Sequence, residues 1–292
     1  MSEQIVVNGV ISGLLLAVLA LSFSVVYLPC RVFHIALGSI FAVTPYVAMA
    51  VLGTGAPWWV AVLAALLAAV GLSLLCEAGN HRRLERRGAS HGAHIIASLG
   101  VFILITQLTA VIWGNDTQVL RHGVDQTYRL GPLIVTRAQG ISAVVSLILL
   151  AAVYLWLRYS GVGLRFRALA DNPTELALRG YNVNHYRLLA FAVSGALGGA
   201  AALMTAYDVG FDPHGGLHML LLAVVAVIIG GRASFLGPVL GGLLLGILRS
   251  QVVWHFSARW QDVFAFLLLA AFLYVRPDGI CGQPTRLEAQ QH

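Results

Sequence analysis

Nine apolar segments partition the chain, at about 5–28, 34–52, 58–76, 94–113, 139–158, 188–206, 217–230, 236–252 and 261–275. Runs of roughly 20 apolar residues suit a helix that crosses the ~30 Å hydrocarbon core of a bilayer. In lipid, a helix satisfies all its own backbone hydrogen bonds, which a lone strand or loop does not. The composition agrees, with 59% hydrophobic and only 10% charged residues, against about half and about a quarter in soluble domains. The expected fold class is therefore all-α, a polytopic transmembrane helical bundle of about 8–10 spans forming one domain over residues 1–292. Segment 217–230 is short and runs straight into GGRASFLG, so it reads as a half-span or a broken helix. Apolar sequence starts at Ile5 with no basic stretch before it, so the first segment reads as a span and not as a cleaved leader.

The net charge of +6 would suggest a nucleic-acid partner in a soluble protein. Here the arginines cluster between spans, where they report orientation instead. Segment 77–93 carries Arg82, Arg83, Arg86 and Arg87, and segment 159–187 carries Arg165, Arg167, Arg179 and Arg187. Both are assigned to the cytoplasm. Between them, 114–138 offsets Arg121, Arg129 and Arg137 with Asp116 and Asp125 and is assigned outside. The N-terminus is then outside and the C-terminus cytoplasmic. All 18 basic residues are arginine. A P-loop needs a lysine on the β- and γ-phosphates, so this chain carries no such nucleotide site. Cys30, Cys76 and Cys281 fall near the cytoplasmic side without metal-ligand spacing and are expected to stay reduced.

None of the 12 carboxylates lies in the middle of a predicted span. Ion- and proton-coupled carriers place ionisable groups at membrane depth, so energy for any solute movement is expected from another source. The stretch DNPTELALRGYNVNHYR at 171–187 is the informative soluble feature. Asn172 suits an N-cap, Pro173 the first helical position, and Glu175 the third position of a capping box. Arg179 complements the helix dipole and Gly180 suits the residue past the C-cap. A helix over 173–179 is about 10 Å long, too short to persist alone in water. It must pack on its own bundle or on a partner, and helix physics alone leaves both open.

Four stretches together carry a family resemblance. RFRALADNPTELALRGYNVNHYRLLAFAVSGALGGAAALM (165–204) is similar to the cytoplasmic loop and following span of permeases of branched-chain (hydrophobic) amino acid ABC transporters. IASLGVFILITQLTAVIWG (96–114), GGRASFLGPVLGGLLLGILRS (230–250) and VRPDGICG (275–282) resemble further family segments in the same order. The resemblance implies a permease subunit of an importer that works by alternating access. It implies partners: cytoplasmic ATPase subunits, a second related permease, and a periplasmic substrate-binding protein. It also implies a bacterial inner-membrane location and no cofactor on this chain. The loop 159–187 would hold a coupling helix, with Asp171, Pro173, Glu175, Leu176, Arg179 and Gly180 as its coupling residues.

The family's first-half motif, roughly I-N-F-A-H-G-(D/E)-x-x-x-x-G-A-Y, is altered here to FHIALGSIFAVTPYV at 33–47. Gly38 and Tyr46 match; His34, Leu37, Ser39 and Thr44-Pro45 replace the Asn, His, acidic and Gly-Ala positions. Paired interruptions in two halves are where transporters build a solute path. The path candidates are His34, Gly38, Ser39, Thr44, Tyr46, Gly230, Gly231, Ser234 and Gly237. For His34 a single interfacial hydrogen bond is the competing role, Arg232 reads as a surface anchor, and Pro45 is expected to kink its span. The outer segment YDVGFDPHGGLH holds Asp208, Asp212, His214 and His218, read as an outer gate or binding-protein dock ahead of a metal site. The alternative for the whole chain is a stand-alone channel or facilitator for a small neutral solute, which leaves the capped helix without a partner.

Overall fold

The computed structural model describes residues 2–121, 126–130, 133–231 and 234–282. Its helices in chain order are α1 (Ser2–Cys30), α2 (Ala36–Gly53), α3 (Trp58–Cys76), α4 (Arg82–Arg86) and α5 (His91–Trp113). A hairpin of β1 (Thr127–Leu130) and β2 (Leu133–Thr136) leads into α6 (Arg137–Tyr159), α7 (Gly161–Asp171) and α8 (Pro173–Leu178). The chain ends with α9 (Val183–Asp208), α10 (Gly215–Gly230), α11 (Gly237–His255) and α12 (Gln261–Val275). Eight helices among the described residues are long and apolar enough to span a membrane. The seventh apolar segment, α10, is an unbroken 16-residue helix, shorter than a full span and largely enclosed by its neighbours.

The first helix is the centre of the bundle. In α1, 83% of the most apolar window is buried, against 6% in the last span. Small residues permit this. Gly9, Gly13 and Ala17 of α1 face Gly242 and Gly246 of α11, and a Cβ on Gly242 would lie 2.7 Å from the Cα of Ala17. A second close crossing joins α9 to α3, where a Cβ on Gly195 would lie 2.8 Å from the carbonyl oxygen of Ala69. Close backbone approach of this kind is how helices associate in a medium as apolar as their own side chains.

Two stretches read as loop are ordered. Residues Glu77–His81 form a single π turn that carries α3 on into α4. The combined helix Trp58–Arg86 has 29 residues, about 43 Å at 1.5 Å per residue, and so stands clear of a ~30 Å core by roughly 13 Å. The outer segment forms the antiparallel β1–β2 pair, with Thr127 opposite Thr136 and Leu130 opposite Leu133. The side chain of Gln4 borrows its edge: its Nε2 donates to the Ile134 carbonyl at 2.8 Å, and its Oε1 accepts from the Ile134 N–H at 2.7 Å. Pro45 lies inside α2, which runs continuously through it from Ala36 to Gly53.

Candidate docking and translocation sites

The arginine-rich face carries a two-helix element where a single short helix was expected. Ser160 starts it: its hydroxyl donates to the Trp156 carbonyl at 2.7 Å and accepts from the Gly163 N–H at 2.8 Å. The chain doubles back so tightly that a Cβ on Gly163 would lie 2.6 Å from the Cα of Leu157. Helix α7 is seated by Phe166, fully buried between Trp156 and Phe235 at ring distances of 5.4 and 6.0 Å. Helix α8 follows after one residue. The Asn172 side chain accepts from the N–H groups of Thr174 and Glu175 at 3.1 and 3.2 Å, and Pro173 opens the helix.

The end of α8 is also closed locally. Gly180 has φ +84°, and its N–H donates to Ala177 O while that of Tyr181 donates to Leu176 O. This is the paired closure of a Schellman motif. Leu176 is 3% exposed and packs against Leu169 and Tyr186, so it anchors α8 to its own chain. Asp171, Pro173, Glu175, Arg179 and Gly180 all face outward. Glu175 and Arg179 pair across one turn at 2.7 Å. Beside them Leu178 is 84% exposed. Its signal in the sequence is a leucine at the tip of an otherwise polar helix end.

Below this element lies a charge cluster that spacing along the chain does not reveal. Arg187 of α9 is 5% exposed. Its Nε donates to Glu77 Oε1 at 2.9 Å, and its Nη1 pairs with Glu85 Oε2 at 2.5 Å. Glu77 is 1% exposed and sits in the π turn, so it is enclosed and not at a wetted span end. π turns concentrate at functional positions in helices. Beside the cluster are three buried histidines. The Nδ1 atoms of His81 and His94 lie 3.4 Å apart, and the His34 ring meets His81 at 5.7 Å and Phe191 at 4.9 Å. Neither ring nitrogen of His34 has a hydrogen-bond partner among the described residues. The one interfacial hydrogen bond considered for His34 is therefore replaced by aromatic packing. Burial, and then the neighbouring His81, push His34 well below its usual pKa, so it is neutral.

The remaining path candidates divide into two groups. Gly38, Ser39, Thr44 and Tyr46 are buried along α2. Gly38 is a crossing point, where a Cβ would lie 2.9 Å from the carbonyl oxygen of Gly216 in α10. Ser39 and Thr44 donate to their own helix, at Ala36 O and Ile40 O. Tyr46 packs against Trp113 and Phe211, with its hydroxyl buried and unpartnered among the described residues. Gly230, Gly231 and Gly237 lie elsewhere, at the seam between α10 and α11. The C-terminal segment caps that seam, with the N–H groups of Ile280 and Cys281 donating to Ile229 O and Gly230 O at 2.9 Å each. Ser234 accepts from the Leu236 N–H in the connecting turn. Arg232 lies outside the described residues.

On the opposite face, Asp212 caps α10, accepting from the N–H groups of His214 and Gly215 at 2.9 and 2.8 Å. His214 reaches Asn115 at 3.1 Å. Phe211 and Gln118 exchange two backbone bonds, which ties this loop to the outer end of α5. His218 faces Asp262 of α12, with Arg249 on the same carboxylate oxygen. Asp208 ends α9.

A helical bundle with eight helices long and apolar enough to span the membrane, and a small anchored helix on its arginine-rich face, defines a multi-pass membrane protein. Comparison with known proteins narrows the class. Residues 5–273 match the family model described as the branched-chain amino acid transport system / permease component. The chain is 25% identical over 293 residues to the high-affinity branched-chain amino acid transport system permease protein LivH of Escherichia coli K12, covering 95% of this chain and 94% of that one. It is 26% identical over 299 residues to BraD of Pseudomonas aeruginosa, covering 96% of each. It is 27% identical over 301 residues to a probable LivH of Methanocaldococcus jannaschii, covering 97% of this chain and 93% of that one. The chain belongs to the family of branched-chain amino acid transport permease components.

Proposed function

We propose that this chain is the membrane-spanning permease subunit of an ATP-driven importer in the bacterial inner membrane. Its solute is a branched-chain amino acid or a related small amide or urea-like molecule. ATP is hydrolysed on separate cytoplasmic ATPase subunits. A second, related permease completes the pathway, and a periplasmic binding protein delivers solute at the outer loops around Asp208, Asp212 and His214. The observation that carries the reading is α8: capped at both ends, bolted down by Leu176, and presenting Asp171, Pro173, Glu175, Leu178, Arg179 and Gly180 outward. A helix of 6 residues that is stabilised only through such anchoring is a rigid peg, suited to a cleft in an ATPase.

Motion of the peg has a direct route inward. Helix α9 begins 5 residues after α8 ends, and Arg187 in its second turn grips the π turn of α3. Closure of the ATPases would thus move α9 and α3 together and tilt the pathway between its inward and outward states. The path would be lined by small and apolar groups of α2, with the Tyr46 hydroxyl as a polar contact and His34 near the cytoplasmic end. Gly230, Gly231, Ser234 and Gly237 would contribute by permitting close packing at the inner end of α10.

The test is gentle extraction of tagged protein from native membranes, with co-purifying chains identified by mass spectrometry. Wild type is expected to bring ATPase subunits, and a Glu175→Arg, Gly180→Trp variant or a Leu178→Asp variant to lose them while remaining folded. A stable chain that purifies alone would overturn the importer reading.

A further inference from the structure

A shallow apolar groove runs between α6, α7 and α9 at the arginine-rich end of the bundle, with a volume of about 570 Å³. Val153 and Trp156 of α6, Val162 of α7, and His185, Leu189 and Val193 of α9 line it. The α9 residues repeat every fourth position, so the groove follows that helix for about 12 Å. Its lining is mostly apolar, with His185 the one titratable residue in it. Ile148 and Leu155 on the outer surface of α6 are exposed apolar side chains, and in a bilayer such surface is covered by acyl chains.

The helices that form the groove also carry arginines held in place by aromatic rings. Arg165 follows Val162 by one turn of α7, donates to the Tyr186 hydroxyl at 3.4 Å, and stacks over the Tyr181 ring at 4.7 Å. His185, which lines the groove, abuts the Tyr186 ring. Arg158 lies over Tyr159 at the end of α6. Among the described residues, neither Arg158 nor Arg165 makes an ion pair with a carboxylate. An oriented guanidinium without an acidic partner, set above an apolar slot at the cytoplasmic interface, is complementary to a negatively charged head group carrying an acyl chain.

We propose that this groove is a binding site for one anionic glycerophospholipid of the cytoplasmic leaflet, with an acyl chain along Leu189 and Val193 and the phosphate at Arg165 and His185. Val162 of α7 is part of the lining, so a bound lipid would touch the element that carries α8. The inference rests on the membrane-spanning fold and not on the importer assignment.

The experiment is native mass spectrometry of the purified full-length protein after a delipidating detergent wash, followed by titration with phosphatidylglycerol or phosphatidylethanolamine. Wild type should retain one phosphatidylglycerol per chain and bind it in preference to phosphatidylethanolamine. Arg165→Gln should weaken phosphatidylglycerol binding about fivefold, the effect of one arginine at an anionic surface, with little change for phosphatidylethanolamine. Leu189→Trp should fill the groove and reduce retention of both, and its thermal unfolding in detergent checks that it is folded. Equal retention of the two lipids by wild type, or an Arg165→Gln variant that binds phosphatidylglycerol like wild type, would overturn the proposal. So would a wild-type chain that retains no lipid.

Discussion

Removing the guanidinium of Arg187 leaves Glu77 buried without a counter-charge and frees Glu85 from the bundle. Breaking a buried ion pair from one side costs about 3–5 kcal/mol. Arg187→Ala is expected to lower thermal stability in detergent by that order, and Arg187→Ala combined with Glu77→Gln to recover part of the loss. Equal stability of the single variant and wild type would show the pair to be dispensable. His34 gives a second expectation at this scale. Its pKa in the folded state is depressed, whereas an unfolded histidine titrates near 6.5. Between those two values the unfolded chain binds the extra proton, so stability falls as pH drops below about 6.5, by at most about 1.4 kcal/mol per pH unit for this one group. His34→Gln should flatten the slope of stability against pH between 7 and 5, measured by thermal unfolding. An unchanged slope would mean that His34 is not the group titrating. Neither feature was legible in the sequence. Glu77 falls just past the apolar segment 58–76, and its partner is 110 positions away. His34 stood out only as a departure from the family motif.

Among the elements, those with local signals were readable and those set by tertiary contact were not. Helix α8 announced itself through Asn172, Pro173 and Gly180, which act within a few residues of one another. The helix ended one residue early, with Arg179 as its C-cap, and Glu175 turned to Arg179 instead of back to the cap. Helix α7 was missed because its start depends on Ser160 and on a glycine forced by the approach of Leu157. The π turn was missed because Glu77, Gly79 and Asn80 look like a loop, and burial against Arg187 overrides that preference. The small-residue stripes were readable as tight packing, but their pairing was not. The α1–α11 seam tests that pairing: Gly242→Leu places a side chain where Ala17 already lies. It is expected to abolish a monodisperse folded species by size-exclusion chromatography, whereas Gly71→Leu, in open space on α3, should leave it intact.

For the whole molecule, the arginine counts and the helix order agree on one orientation. Cys substituted at Leu178 should be labelled by a maleimide reagent only after the membrane is made permeable. Cys substituted at Ile134 in the hairpin should be labelled in sealed cells. The reverse pattern would invert the topology and overturn the cytoplasmic placement proposed for α8. The span count was legible because hydropathy is a sum over many residues, with α10 as the one segment whose role needed coordinates. What hydropathy did not convey is which span lies innermost, because every span is apolar.

The central position of α1 also bears on how the protein is made. It leaves the ribosome before its neighbours, yet most of the surface that encloses it belongs to α9, α10 and α11, some 200 residues downstream. Until those arrive, the glycine stripe of α1 has only lipid or an insertion factor against it. Assembly must therefore be completed after insertion, by late helices closing around an early one. A chain stopped before α9 would leave its future centre bare, an attractive feature for membrane quality control to recognise.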